Sequence, residues 1–172
     1  DFSYTKYDNW DLCNQYLMHA QFLADQALST ENKALCIDGI RLYAQVALYL
    51  TYALEDYRSA KKVLEKILAL VKQYYAKEKS VVLVLANINT HLGRIMRYIG
   101  DTIQVKKLLR KAILIYDEHK NLKISADLSK LLSYLRRDRD LNPYDGVKYD
   151  QSFTLYHLGL LKQDLADFDA AK

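Results

Sequence analysis

Residues 81–119 read "VVLVLANINTHLGRIMRYIGDTIQVKKLLRKAILIYDEH". In the second half, 102–119, Val105, Leu108, Leu109, Ala112, Ile115 and Tyr116 follow the i, i+3, i+4, i+7 rhythm of one helix face. Lys106, Lys107, Arg110 and Lys111 take the other side. A helix patterned this way packs on a neighbour and shows its charges to water. The first half, 81–100, is apolar around most of its circumference, as expected of a helix sandwiched between neighbours. Between them stands Gly100-Asp101. Glycine permits the left-handed ending of one helix, and aspartate caps the start of the next. The stretch predicts an antiparallel helical hairpin.

The same design occurs upstream. "SAKKVLEKILALVKQYY", residues 59–75, places Ala60, Val63, Leu64, Ile67, Leu68, Val71 and Tyr74 or Tyr75 on one face and Lys61, Lys62, Glu65, Lys66 and Lys72 on the other. It follows "LCIDGIRLYAQVALYLTYAL", residues 35–54, across a turn at Glu55-Asp56. A shift of 45 residues pairs Asp56, Lys61, Lys62, Leu64 and Lys66 with Asp101, Lys106, Lys107, Leu109 and Lys111. A shift of 66 pairs His91, Leu92, Gly93, Asp101 and Lys106 with His157, Leu158, Gly159, Asp167 and Lys172. In a common frame that also keeps the apolar rhythm, these identities point to an internal repeat.

With Leu92 and Gly93 in the first helix, Gly100 and Asp101 at the turn, and Leu109 and Ala112 in the second helix, the chain resembles the tetratricopeptide repeat (TPR) family, in particular the longer repeats of kinesin-light-chain-like proteins. Asp56, Tyr57, Ala60 and Leu64 carry the likeness in the preceding unit, where Ala47-Leu48 stands in place of the Leu-Gly pair. Leu158, Gly159, Asp167, Phe168 and Ala171 carry it in the last. The resemblance implies an all-α fold of antiparallel helical hairpins stacked as a right-handed α-solenoid. Small residues at Gly93, Gly159, Ala60, Ala112 and Ala171 are expected where helices approach closely.

One array over 1–172 is expected, with a degenerate unit at 1–35, units at 36–80 and 81–120, an irregular or inserted helix within 121–149 and a truncated unit at 150–172. Ala20, Leu23, Ala24 and Ala27 imitate a second helix in the degenerate unit, after "FSYTKYDNWDL" as its first. Asn142-Pro143 and Asp145-Gly146 read as turns. Arg136, Arg137 and Arg139, interleaved with Asp138 and Asp140, read as a solvated helix end.

Composition agrees with helix. The 172 residues are 51% hydrophobic and 27% charged, and 5 Gly with 1 Pro leave little for a turn-rich β architecture. Lys and Arg number 25 against 21 Asp and Glu, a net +4 that falls short of the excess of a dedicated nucleic-acid binder. No apolar run approaches the roughly 18 residues of a membrane span. Cys13 and Cys36 have neither zinc-ligand nor disulfide spacing and read as buried thiols. The first residue, Asp1, and the helical pattern at the end suggest a piece of a longer or processed chain.

No nucleophile elbow, phosphate-binding glycine loop or helical H-E-x-x-H motif occurs, so no enzyme, no metal and no cofactor is expected. His91 and His157, equivalent in the repeat, read as packing or groove residues. The 15 tyrosines suit helix packing and protein contact better than base stacking.

The resemblance further implies a concave face lined by the first helix of each pair. Carried over position by position, it comprises Gln45, Tyr49, Tyr52, Asn87, Thr90, Arg94, Arg97, Tyr156 and Gln163. Its arginines suit carboxylates through forked hydrogen bonds, and its asparagine suits an extended backbone. The function so implied is a non-catalytic protein–protein interaction scaffold or adaptor, intracellular (cytoplasmic or nuclear). Its partner would be a peptide or another protein, with self-association through the uncovered terminal helix a further expectation. The alternatives are a peptide-sensing domain of a larger regulator and, behind it, a nucleic-acid-binding helical repeat.

Overall fold

The computed structural model describes residues 9–119, 121–136 and 143–170, with side chains for all of these except 33, 143–145 and 167–170. The described residues are all-α: α1 (Trp10–Leu28), α2 (Lys33–Tyr52), α3 (Tyr57–Tyr74), α4 (Val81–Ile99), α5 (Thr102–His119), α6 (Ala126–Leu135) and α7 (Pro143–Ala170). No helix among them is long and apolar enough to cross a membrane. The chain forms two compact units, 1–74 and 75–172.

In the first unit, Asn32 caps α2 by accepting hydrogen bonds from the amides of Ala34 (3.0 Å) and Leu35 (3.4 Å). α2 runs close along α1 because Gly39 has no side chain: a Cβ there would lie 3.0 Å from the Ala24 carbonyl oxygen and 3.1 Å from Ala27 Cβ. The Tyr49 hydroxyl donates to the Trp10 carbonyl oxygen at 2.9 Å, and Cys13, Leu48 and Tyr49 bury together. The turn into α3 uses Glu55 at φ 51° and Asp56, whose carboxylate accepts from the Ser59 amide at 3.0 Å. α3 buries Ala60, Val63, Leu64, Ile67 and Val71, the face its sequence predicts. Each large aliphatic among them contributes about 1.5–3 kcal/mol before entropy is subtracted. Lys66 joins the three helices, pairing with Asp25 of α1 and donating to the Tyr43 hydroxyl of α2 at 2.9 Å. Cys13 and Cys36 are buried free thiols. On α1, Ala20 and Ala24 are buried, but Leu23, expected beside them, is 59% exposed.

In the second unit, Gly100 ends α4 at φ +89°. Its amide reaches the Arg97 carbonyl oxygen (3.1 Å), and the Asp101 amide reaches that of Met96 (3.0 Å). These bonds satisfy carbonyls the helix end would leave unpaired. Asp101 then accepts from the Gln104 amide at 3.0 Å and starts α5. Along this hairpin a Cβ on Gly93 would stand 2.7 Å from Leu109 Cδ2. α5 buries Val105, Leu109, Ala112 and Tyr116 and leaves Lys106, Lys107, Arg110 and Lys111 exposed, as its pattern predicts. Ser125 caps α6, accepting from the Leu128 amide at 3.4 Å, while Leu128, Leu131, Leu132 and Leu135 face inward.

The last helix departs from expectation. α7 runs unbroken through 149/150, where the sequence suggested a unit boundary, and it includes Gly146. The Asp145-Gly146 turn is therefore replaced by helix. Pro143 stands at its first position, where a missing amide hydrogen is harmless. Gly159 is exposed, and among the described residues nothing lies within 4 Å of where its Cβ would be, so it marks no close approach of their helices. Arg136 is 3% exposed, not a solvated helix end. Arg137–Asp140, Asn142, Ala171, Lys172, the first seven residues of "FSYTKYDNWDL", and the side chains of Asp167 and Phe168 lie outside the described residues.

Candidate protein-binding face

Of the expected groove residues in the first unit, Gln45 and Tyr49 are buried and Tyr52 is half-buried against the Cys13, Leu48 and Tyr49 cluster. The Tyr49 hydroxyl is committed to Trp10. The six in the second unit divide by depth. Asn87 and Thr90 are 3% and 1% exposed, Arg94 and Arg97 are half-buried, and Gln163 and Tyr156 face solvent, Tyr156 at 61%.

Asn87 and Thr90 belong to a buried polar seam between α4 and α7. Thr90 Oγ1 lies 2.8 Å from Thr154 Oγ1, 3.1 Å from the Ala86 carbonyl oxygen, and Thr154 Oγ1 lies 2.6 Å from the Asp150 carbonyl oxygen. Two hydroxyl protons cannot serve three contacts. The shorter two are satisfied when Thr90 donates to Thr154 and Thr154 donates to the carbonyl. One turn away, Arg136 grips Asp150 with Nε at 3.1 Å from both carboxylate oxygens and an Nη at 2.7 Å, both side chains nearly inaccessible. Gly146 makes this possible: a Cβ there would meet the guanidinium, with one Nη at 2.7 Å. Burial raises the Asp150 pKa in spite of its Arg136 partner. Tyr116 is buried at the same place and its pKa is pushed well above the usual value, first by burial and then by the Asp150 charge.

The histidines expected to be equivalent meet here. His91 Nε2 donates to the Leu135 carbonyl oxygen at 2.7 Å, and both imidazoles contact Phe153, His91 at 6.0 Å and His157 at 4.5 Å between ring centroids. His157 is 4% exposed, and neither ring nitrogen has a hydrogen-bond partner among the described residues. Burial, then the neighbouring Arg94 charge, lowers the His91 pKa to about 4. Burial, then Arg94, His91 and Arg97, lowers that of His157 to about 3. Both rings are neutral at pH 7. Among the described residues, no group of three or more His, Cys, Asp or Glu could hold a metal ion.

At the outer edge of the seam is an accessible face. Arg97 forks onto Asp164 of α7, Nε at 2.5 Å and Nη at 2.9 Å, which lowers the carboxylate pKa. The guanidiniums of Arg94 and Arg97 lie 5.7 and 5.9 Å from the ring centre of Tyr98. Tyr98 is 47% exposed, and Tyr156 follows on α7, its ring 5.3 Å from that of His157. Sequence reasoning found Arg94, Arg97 and Tyr156 but missed Tyr98, Asp150, Thr154 and Asp164. Tyr98 follows Arg97 directly, and Asp150, Thr154, His157, Leu161 and Asp164 share one helical spacing, a signal readable only once 150–164 is taken as a single helix face. Compared with known proteins, the chain matches no family model, no curated protein sequence and no solved structure.

Proposed function

We propose that the chain is a non-catalytic helical-repeat protein of the tetratricopeptide kind that binds a peptide or partner protein, with Tyr98, Tyr156, Arg94 and Arg97 at the contact. The observation that carries this reading is the pair of exposed tyrosines beside a forked Arg97–Asp164 pair. Tyrosine and arginine dominate binding energy at protein interfaces, tyrosine because it covers a large area with few free torsions and ends in a hydroxyl, arginine because its planar fork presents several preorganised donors. Arg97 already engages a carboxylate, which an acidic peptide would have to displace to use the same fork. The recurrence of the Asp-capped hairpin turn at 56 and 101 supports the repeat reading. In place of the nine-residue groove, this reading puts weight on Arg94, Arg97 and Tyr156 from it, with Tyr98 added.

The test compares partner capture by the wild-type chain with Tyr98→Ser/Tyr156→Ser and with Lys107→Glu, a control on the exposed side of α5. Recovery is expected to fall at least tenfold for the tyrosine variant and to remain within twofold for the control. Equal recovery with all three, or loss with the control alone, refutes the face.

A further inference from the structure

We propose that α7 is an acid-released latch on the α4–α5 hairpin, held while His91 and His157 are neutral and driven off when they take up protons. The link to binding rests on the preceding reading, because Tyr98 is on α4 and Tyr156 on α7, so release would divide the face. The release itself does not depend on it.

The geometry points this way in three respects. First, His157 is enclosed at the α4–α7 seam with both ring nitrogens unpartnered among the described residues, so none of these positions an acceptor for an additional N–H. Buried polar groups are nearly always partnered, and one that is not weakens the contact that encloses it. Second, the groups facing the rings are basic: Arg94 and Arg97 from α4, with each histidine facing the other across the seam. Third, the carboxylates near it are already engaged. Asp150 of α7 is held by Arg136 at the end of α6, Asp164 by Arg97, and Asp117 of α5 accepts from Gln151 at 2.6 Å. Tyr116, the buried titratable residue of α5, is neutral at any pH concerned. An imidazolium formed here would stand beside the Arg94 and Arg97 guanidiniums, while Asp150, Asp164 and Asp117 are already engaged. In released α7 the same ring is hydrated and takes its proton at an ordinary pH.

With a folded value of about 3 against 6.5 when exposed, His157 alone shifts the docking equilibrium by about 30-fold at pH 5, and His91, which stays on α4 against Leu135, adds to that shift only as far as departure of α7 hydrates it. The experiment is hydrogen exchange followed by mass spectrometry on the full chain at pH 7.5 and 5.0, corrected for intrinsic exchange rates, with wild type, His157→Gln and His91→Gln. Expected is a loss of protection in 146–166 of at least tenfold at pH 5.0 in wild type, with α2 and α3 unchanged and the loss at least tenfold smaller in His157→Gln. Unchanged protection in wild type, equal loss in both variants and wild type, or simultaneous loss in α2 and α3 would each overturn the proposal. Should the variants not fold at pH 7.5, titration of the wild-type imidazole resonances decides it. Two rings still neutral at pH 5.5 while α7 is docked support the latch, and rings titrating near 6.5 in the docked state overturn it. No partner is present in either measurement, so failure here leaves the capture experiment standing.

Discussion

Alanine at the two Leu-Gly sites should act in opposite directions. Gly93 and Gly159 occupy the same place in the repeated "HLG" and both lie inside helices, α4 and α7. Glycine in a helix interior is less favourable than alanine by roughly 0.5–1 kcal/mol, because the unfolded glycine has more freedom to lose. At Gly159 nothing lies within 4 Å of the new Cβ, so Gly159→Ala should gain that whole amount. At Gly93 the Cβ would stand 2.7 Å from Leu109 Cδ2, 3.0 Å from its Cγ and 3.6 Å from Leu108 Cβ. Leu109 is fully buried with Met96, Val105 and Leu161, so it cannot retreat into solvent. Forcing a methyl into a filled core costs about 1–3 kcal/mol. After the propensity gain, Gly93→Ala is expected to lose about 0–2 kcal/mol. Urea unfolding at pH 7.5, followed by far-ultraviolet circular dichroism, would separate the two variants by about 1–3 kcal/mol. Equal stabilisation by both substitutions would refute the claim that Gly93 sits at a tight α4–α5 contact.

Three further outcomes follow from the polar seam. Arg136→Met should destabilise by about 3–5 kcal/mol because it strands a buried Asp150 carboxylate, whereas joint replacement of both by apolar residues should recover much of that loss in urea unfolding. Asp164→Asn, which breaks a pair whose carboxylate side chain is 44% exposed, should cost no more than about 1 kcal/mol in the same assay. Stability should be greatest above about pH 7 and fall as pH drops below 6.5, because the folded histidines bind fewer protons than the unfolded ones; at pH 5 each accounts for about 2 kcal/mol. Asp150 opposes this slightly, since its raised pKa makes the folded state the better proton binder nearer pH 4, and unfolding midpoints at pH 7.5, 6 and 5 check the direction.

What could be read from the sequence was what is local along the chain. The stripe of α3, the caps Asp56 and Asp101 and the left-handed Gly100 depend on residues at most four apart, and they lie in the structure where the pattern put them. α7 could not be read this way, because its pattern is partly inverted. It buries Asp150, Thr154 and His157 while exposing Leu155, Tyr156 and Leu165. Periodicity assumes that apolar residues mark the inner face, so an inner face made of polar groups carries no such mark. Asn142-Pro143 and Asp145-Gly146 then looked like punctuation. Within α7, glycine at 146 answers a packing demand instead, since the Arg136 guanidinium occupies the space of its Cβ.

The site shows the same divide in a form that bears on function. Arg94 and Arg97 were recognisable as groups suited to a carboxylate, but the carboxylate that Arg97 holds is 67 residues away, just as Thr90 meets Thr154 across 64 residues and His91 meets Leu135 across 44. None of these pairings has a sequence signature. They determine which part of the expected groove is accessible: Asn87 is buried and Thr90 is committed to Thr154 of α7, while Tyr156, and Tyr98 outside the expected set, are exposed. A surface assembled from two helices can be no more permanent than the contact between them. Here that contact combines the Thr90–Thr154 hydrogen bond and the Arg97–Asp164 pair with an imidazole lacking hydrogen-bond partners among the described residues, so binding at the proposed face and docking of α7 would be thermodynamically linked. If α7 is released by acid as proposed, a ligand that touches both Tyr98 and Tyr156 would stabilise α7 against acid, and acid would weaken that ligand by the same factor.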